Sequence, residues 1–571
     1  MKRKTLLTMA CGAFCLAASA APNATAMADS RVHGYVPADY VEVTDPAVKA
    51  NLEHFRDLKL GLMMHFGIYS QVGIDESWPL VDSSAWRARQ MTDMGVGDTF
   101  KSNYWNLAKT FNPIRFDADA WARAAATNGF KYLCFTTKHH DGFAMFDTKY
   151  SDFKITGRDC PYASRPNADM VRDIWDAFRR RGLAISCYFS KADWHHEDFW
   201  ENHGIGYETT WYPTYLPKEK PEKWTRFEQF MRNQMVELCR DYGRIEIMWL
   251  DGASVGCRPD TRVDMDGILA ECRKYQPWLI AADRSIKGPN QQLMTPEQTV
   301  PAEPMACPWE SCITMASNWS YRFDDEYKSA KDLVQLFVGI VAKGGCLALN
   351  VAPRPDGVIP QPALERMNAM GAWLRKNGEA IYATRPLAPY SSRNWCFTQR
   401  DDKRYAIRLT REGERDLRRI VLDGTKFGAA RITRIVHVPT QREMAFVRVT
   451  DGWAFDLPDD IEADPYAEVF RFEVSDEAPD VPANVTIVPD PVVADRLIVS
   501  WTTRLKGSSI VRYGAVANDL NVTVRGEPGM AHRVAIPTAG FEKIFISVET
   551  DGRRSPVQEV GCGPHPTRAC K

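Results

Sequence analysis

An apolar run that stops abruptly on a carboxylate is the feature that most restricts this chain. Ile245-Glu-Ile-Met-Trp-Leu-Asp-Gly252 stays largely apolar until Trp249, Asp251 and Gly252. A helix-like stretch, Glu222 to Tyr242, leads into it through Gly243. Helix, glycine and apolar run in that order read as a buried parallel strand. The unit recurs. Leu58 to Gly67 carries His65 near its end, and Lys131 to Thr137 runs into Lys138-His-His-Asp-Gly-Phe143. Leu183 to Phe189 runs into Ser190-Lys-Ala-Asp-Trp194. Trp278 to Ala282 precedes Asp283 and Arg284, and Gly344 to Val351 closes the series. Helical stretches sit between these runs, among them Asp117 to Asn128, Asn167 to Arg181, Ala330 to Ala342 and Pro362 to Lys376. The section from Arg284 to Ala330, with Glu297, Glu310 and Trp319, reads as a long loop.

Strands alternating with helices predict a parallel sheet. An open doubly wound sheet gathers its site at one switch point, whereas a barrel collects every strand end into one ring. His65, His139, His140, Asp251 and Arg284 are spread over four strand ends, so the expected fold is a (β/α)8-like barrel. No G-x-G-x-x-G follows a strand, which removes the main sign of a dinucleotide fold.

The texture changes near Thr384. Short β-prone runs such as Tyr405 to Leu409 and Val469 to Phe472 are broken by Asp, Gly and Pro, the all-β pattern. Glu477-Ala-Pro-Asp-Val-Pro482 reads as a linker, and Arg496 to Thr502 and Lys543 to Glu549 suggest a further small sandwich. The predicted organisation is a signal peptide at 1–26, the barrel at 30–384, a β-sandwich at 385–476, and an Ig-like or fibronectin-like β domain at 481–560.

The signal rests on Met1-Lys-Arg-Lys4, the apolar Leu6 to Ala18, and the small-x-small sites Ala18-Ser-Ala20 and Ala24-Thr-Ala26. That apolar core is too short to span a bilayer. A secreted or periplasmic protein without a membrane span is the expectation; Cys11 and Cys15 are a poor match to a lipid anchor. The remaining cysteines show no C-x-x-C pair and no zinc spacing, although Cys562 and Cys570 could close a terminal loop. Lys and Arg total 72 against 73 Asp and Glu. Such a balance gives no support for a basic nucleic-acid surface.

Carboxylates Asp251, Glu297 and Glu310 share the strand-end region with histidines and tryptophans. Aromatic faces stack on sugar C–H surfaces, and two carboxyls flanking a bond are what glycoside hydrolysis requires. One must stay ionised, and the other must hold a proton through burial or its neighbour's charge. Taken alone, Asp251 reads sooner as a helix cap or turn residue than as a catalytic one, and Trp249 reads as plain core. His195-His-Glu197 lacks the H-E-x-x-H spacing and reads as a solvated loop, with no metal implied.

Eight short motifs, in order, resemble the α-L-fucosidases of glycoside hydrolase family 29. They are His65-Phe-Gly67, Lys138-His-His-Asp-Gly-Phe143, Tyr188-Phe-Ser190 with Asp193-Trp194, Trp249-Leu-Asp251, Asp283-Arg284, Pro308-Trp-Glu310, Trp319-Ser-Tyr321 and Leu349-Asn-Val351. Each is weak alone; their order and spacing are specific, and the resemblance spans Asp57 to Thr384. It implies an exo-acting, retaining α-L-fucosidase without a cofactor, acting on fucosylated oligosaccharides or glycoconjugates. Asp251 matches the family's nucleophile. His65, His139 and His140 match binders of fucose hydroxyls, while Trp249, Arg284 and Trp319 match other pocket walls. Tyr188 or Phe189 matches an aromatic position. The acid/base matches Glu297 in some members and Glu310 in others, and alignment favours Glu297. Many members place Glu directly before the tryptophan of the early loop. Here Ser77 stands before Trp78 and Glu76 lies one step back, so that either the loop shifts by one residue or a hydroxyl contact is lost. The rival readings are a retaining glycosidase for another galacto-configured sugar and an inactive glycan-binding protein.

Overall fold

The computed structural model describes residues 40–82, 92–284, 286–411, 418–423, 431–449, 452–475 and 482–562. The expected signal peptide and Cys570 lie outside them.

Seven parallel strands build the first region. They are β1 (Leu60–Met64), β2 (Tyr132–Lys138), β3 (Ala184–Ser190), β4 (Ile247–Asp251), β5 (Ile280–Asp283), β6 (Glu310–Thr314) and β7 (Cys346–Asn350). Their spatial order is β5-β4-β3-β2-β1-β7-β6. The helices are α1 (Pro46–Leu58), α2 (Gly97–Asn106), α3 (Ala118–Thr127), α4 (Met170–Arg180), α5 (Pro221–Asp241), α6 (Met265–Arg273), α7 (Ala330–Ala342) and α8 (Gln361–Asn377). Several begin where an acidic or hydroxyl side chain takes a free backbone N–H. Asp45, Asp117, Asp169, Asp264 and Ser329 each accept such a bond, which satisfies the first turn. The apolar stripe read on α4 packs inward: Met170, Val171, Ile174, Trp175 and Phe178 are buried.

Side chains alternate along a strand with a period of two, and the barrel uses both faces. Leu60, Leu62 and Met64 join the core between sheet and helices, whereas Met63 joins the core inside the barrel with Tyr132, Tyr188, Trp249, Cys312 and Ala348. Continued one step, the inner-face series ends in polar groups: Met63 then His65, Trp249 then Asp251, Ala282 then Arg284, Cys312 then Thr314, Ala348 then Asn350. Register keeps these ends level, with Ser190 opposite Asp251 and Thr314 opposite Asn350. An irregularity between Thr136 and Lys138 breaks the alternation on β2. Beyond it, Lys138 points away from the barrel interior to Asp193 and Gln234, and the following turn brings both His139 and His140 to the pocket.

The ladder does not join β5 to β6. Residues 290–298 fill that gap. On one side Gln292 N–H donates to Ala281 O (2.9 Å) and Asp283 N–H to Asn290 O (3.0 Å). On the other, Glu310 N–H donates to Met294 O (2.8 Å) and Cys312 N–H to Pro296 O (3.1 Å). The section read from sequence as one long loop therefore holds both a strand, β6, and the piece that closes the barrel.

Antiparallel sheets follow. One contains β8 (Arg385–Ser392), β9 (Trp395–Arg400), β10 (Lys403–Leu409), β12 (Arg431–His437), β13 (Arg442–Glu443) and β16 (Ala467–Ser475). The other contains β11 (Arg419–Asp423), β14 (Phe446–Val449) and β15 (Gly452–Asp456). They enclose Trp395, Phe397, Trp453, Phe455 and Phe470. The last sheet is built on the long strands β18 (Arg496–Gly514) and β19 (Val522–Pro537), with Trp501, Tyr513, Ile544 and Val548 in its core. Trp373 of α8 donates to Ala467 O (2.9 Å), tying barrel to β region. Among the described residues no helix is long and apolar enough to cross a membrane.

Candidate active site

The strand ends enclose a cavity of about 680 Å³. His65, Glu76, Trp78, His139, His140, Tyr188, Trp249, Asp251, Arg284, Glu297 and Trp319 all line it. Sequence reasoning named all of these as site residues except Glu76, whose place it left open; residues from five strands and three loops meet here.

Asp251 lies at its floor. Tyr188 donates its hydroxyl to Oδ2 at 2.7 Å, and the Gly252 N–H donates to Oδ1 at 2.8 Å. Arg284 Nη1 is 3.2 Å from Oδ1 and His140 Nε2 is 4.0 Å from Oδ2. The other end of the same guanidinium reaches Glu297, with Nη2 at 2.5 Å from Oε2. Its Nε donates to Thr295 Oγ1 at 3.0 Å. One buried cation thus joins two carboxyls, one on β4 and one on the closing segment.

Each histidine is fixed from behind. His65 Nδ1 is 2.8 Å from Asn350 Oδ1, His139 Nδ1 is 2.6 Å from Ser77 Oγ, and His140 Nδ1 is 2.7 Å from Ser190 Oγ. Burial pushes His65 down to about 4 and lowers His139 and His140 as well. All three are therefore neutral at pH 7. Asn350 Oδ1 only accepts, so His65 carries its proton on Nδ1. Ser190 gives its own proton to Ala192 O, so His140 also protonates Nδ1. His65 and His140 then each present a bare Nε2, a hydroxyl-accepting atom.

The early loop resolves the departure seen in the sequence. Glu76 takes a positive φ of 41°, and this turn leaves both Glu76 and Trp78 on the cavity wall while Ser77 faces His139. Glu76 is buried, and desolvation together with neighbouring Asp75 holds its carboxyl well above the usual range. Its Oε1 has no hydrogen-bond partner among the described residues. Trp78 packs edge-on to His140 (5.3 Å) and to Trp194 (5.6 Å).

Two alternatives left open by the residues separate here. Tyr188 faces inward and stacks 5.2 Å from Trp249, whereas Phe189 points to the outer core under the Lys138 ammonium (4.5 Å). Glu310 is not part of the cavity wall. It sits at the start of β6, one level below the strand ends, fully buried, and its oxygens take the Tyr132 hydroxyl and the Trp249 N–H (3.1 Å). Alternation along a short strand put it inside the barrel but too deep. Residues that sequence reading did not single out as site members are Asn350 and Ser190, behind the histidines, and Trp211, on the rim beside Trp78 (6.3 Å). The inner-face period could have flagged Asn350; nothing local marks Trp211.

His195 is not in a solvated loop. It is sandwiched between Phe153 (3.8 Å) and His203 (4.2 Å). A second cleft, of about 630 Å³, opens where α1 meets both β regions. Its arginines Arg56 and Arg385 are already paired with Glu53 and Asp57.

Comparison with known proteins places these residues in a family. The α-L-fucosidase family model matches residues 32–379. The plasma α-L-fucosidase of Homo sapiens is 28% identical over 348 residues, covering 58% of this chain and 69% of that protein. α-L-Fucosidase isoenzyme 1 from Paenibacillus thiaminolyticus superposes with a TM-score of 0.61 at 27% identity, over 75% of this chain and 100% of that one. The Thermotoga maritima α-fucosidase in complex with a mechanism-based inhibitor superposes with a TM-score of 0.59 at 25% identity, over 74% of this chain and 96% of that one. With the family model spanning the whole barrel, the chain belongs to the α-L-fucosidases of glycoside hydrolase family 29.

Proposed function

We propose that this protein is an exo-acting, retaining α-L-fucosidase in which Asp251 is the nucleophile and Glu297 the acid/base. The observation that carries the assignment is the Arg284 guanidinium held between those two carboxyls. In the first step Asp251 Oδ attacks the anomeric carbon while Glu297 protonates the departing oxygen. The C–O bond to the aglycone breaks as the bond to Asp251 forms. In the second step Glu297, now ionised, takes a proton from water, which displaces Asp251. Arg284 and Tyr188 keep the nucleophile ionised and aligned between the two steps.

His65 and His140 accept hydroxyl protons of the sugar through Nε2, and the protonated Glu76 carboxyl offers both a donor and an acceptor. Trp319, tilted 5.2 Å from His65, and Trp78 supply apolar walls. The closed floor supports removal of a terminal sugar only. No step requires a metal or organic cofactor. Secretion or a periplasmic site is consistent with the basic and apolar N-terminal sequence.

Turnover of nitrophenyl glycosides tests the reading. Hydrolysis of the α-L-fucoside with retention, abolished in Asp251→Ala, is the expected result. Cleavage of a galactoside alone would move the specificity to another galacto-configured sugar. No turnover of any, with fucose still bound, would make the protein a glycan binder.

A further inference from the structure

We propose that Glu310 is a positioning residue for the nucleophile: from beneath the cavity it anchors the Trp249 indole, and through that ring it sets Arg284 and Tyr188 on the two oxygens of Asp251. The proposal rests on the reading of Asp251 as nucleophile.

Trp249 has one polar atom, and its N–H is bound to Glu310 Oε1 at 3.1 Å. The same indole supports two of the groups that hold Asp251. The Arg284 guanidinium lies 4.3 Å from its ring centre, and Tyr188 stacks at 5.2 Å with 24° between planes. Those two then bind different oxygens, Arg284 Nη1 reaching Oδ1 and the Tyr188 hydroxyl reaching Oδ2. Gripping each oxygen separately fixes the carboxylate's rotation about its last bond. A tilt of the indole therefore displaces both grips together. Reaction rates are sensitive to this kind of displacement, since about 1 Å can cost on the order of 100-fold.

The anchor is itself braced. Glu310 Oε2 takes the Tyr132 hydroxyl. Tyr132 meets Phe55 edge-on at 5.3 Å, and its ring lies across Gly61, where an added Cβ would stand 2.1 Å from ring carbons. Both carboxyl oxygens are thus spent on the protein, and the residue is 0% exposed. A carboxyl with no opening to the cavity cannot hand a proton to a sugar. An apolar side chain here would strand two buried donors, the Tyr132 O–H and the Trp249 N–H. Glutamine strands only one, because its amide oxygen still accepts from Trp249, while its amide nitrogen donates to the Tyr132 oxygen and leaves that hydroxyl's proton without this acceptor.

The test uses the full chain and two substrates, nitrophenyl α-L-fucoside with a good leaving group and a fucosyl disaccharide with a poor one. Glu310→Gln should keep kcat within about threefold of the parent on both, since geometry is preserved. Glu310→Leu should lower kcat by on the order of 100-fold with KM moving about threefold or less. In a Trp249→Phe background the same leucine change should add little, because the two act as one unit. Should Glu310→Leu fail to fold, Tyr132→Phe decides. Freeing one carboxyl oxygen should lower kcat about threefold or more at parental KM, and an unchanged kcat would overturn the proposal. Loss of disaccharide turnover in Glu310→Gln, with aryl fucoside turnover restored by azide, would make Glu310 a proton donor and sink the idea. So would parental kcat in a folded Glu310→Leu, or full additivity with Trp249→Phe. A parent chain that turns over neither fucoside would instead overturn the enzymatic reading, and this proposal with it.

Discussion

Two levels of the barrel interior hold carboxyls of opposite fate, partly open at the upper level and sealed at the lower. At the strand ends, Asp251 and Glu297 share one guanidinium and line a cavity. One level down, Glu310 is closed in by Tyr132 and Trp249, and burial pushes its carboxyl up to about 7. Burial or a raised pKa alone would rank Glu310 as a good general acid. What separates the levels is whether the carboxyl lines the cavity. Glu76 follows the same rule at the upper level, lining the cavity with an Oε1 that meets no partner among the described residues. On the proposed assignment the lower level is structure and the upper level is chemistry, although the same strands build both.

The sharpest way to break this comparison is at its centre. Asp251→Ala should lower kcat by on the order of 10⁴-fold or more, read as aryl fucoside turnover, with azide giving product of inverted configuration. Residual turnover near that of the parent would move the nucleophile elsewhere. Next comes Glu297→Ala. It should cost about 10²- to 10⁴-fold on a disaccharide and far less on an aryl fucoside, whose leaving group needs no proton. Equal losses on both substrates would place Glu297 outside proton transfer.

A smaller effect tests the lower level. Gly61→Ala would force a methyl against the Tyr132 ring at 2.1 Å. Overpacking of this kind costs about 1–3 kcal/mol, visible as a lower denaturation midpoint. Displacement of Tyr132 should also reduce kcat, whereas a change in stability alone would uncouple the two levels.

Two buried histidines extend the comparison to the last β region. His65 and His532 are each lowered to about 4 by burial, and His532 is boxed in by Thr503, Ser509 and Trp501. Both refuse a proton that the unfolded chain accepts near 6.5. Stability from each is therefore full above about 6.5 and is lost as pH falls toward 4. The slope is at most about 1.4 kcal/mol per pH unit per histidine. Melting temperatures between pH 7 and 4.5 should fall less steeply in His65→Gln and in His532→Gln than in the parent. Only His65→Gln should also weaken fucoside turnover; a loss in His532→Gln would join the far β region to catalysis.

Much of the upper level was legible because strands alternate. Met63 and His65, Trp249 and Asp251, Ala282 and Arg284 share a face by arithmetic alone, so strand-end residues could be named before any coordinates. Tyr188 over Phe189 was decidable by the same parity once its register with Trp249 was known. β6 was not legible. Its inner face is Glu310, Cys312 and Thr314, polar or small, and it lacks the apolar run that marked the other strands. Residues 290–298 follow no strand pattern, with Pro296 among them, and only backbone bonds to both neighbours reveal their place. That is also why two glutamates competed for one role: the sequence shows each near a tryptophan or proline, but not its depth.

The barrel's seam carries a further consequence. Residues 290–298 are tacked to β5 and β6 by a few backbone bonds, while Asp251 stands within a continuous ladder. The proposed proton donor thus rides on the most exchangeable plank of the wall. Grafting this plank from a relative should alter which leaving groups are tolerated while the sugar's own cradle is inherited unchanged.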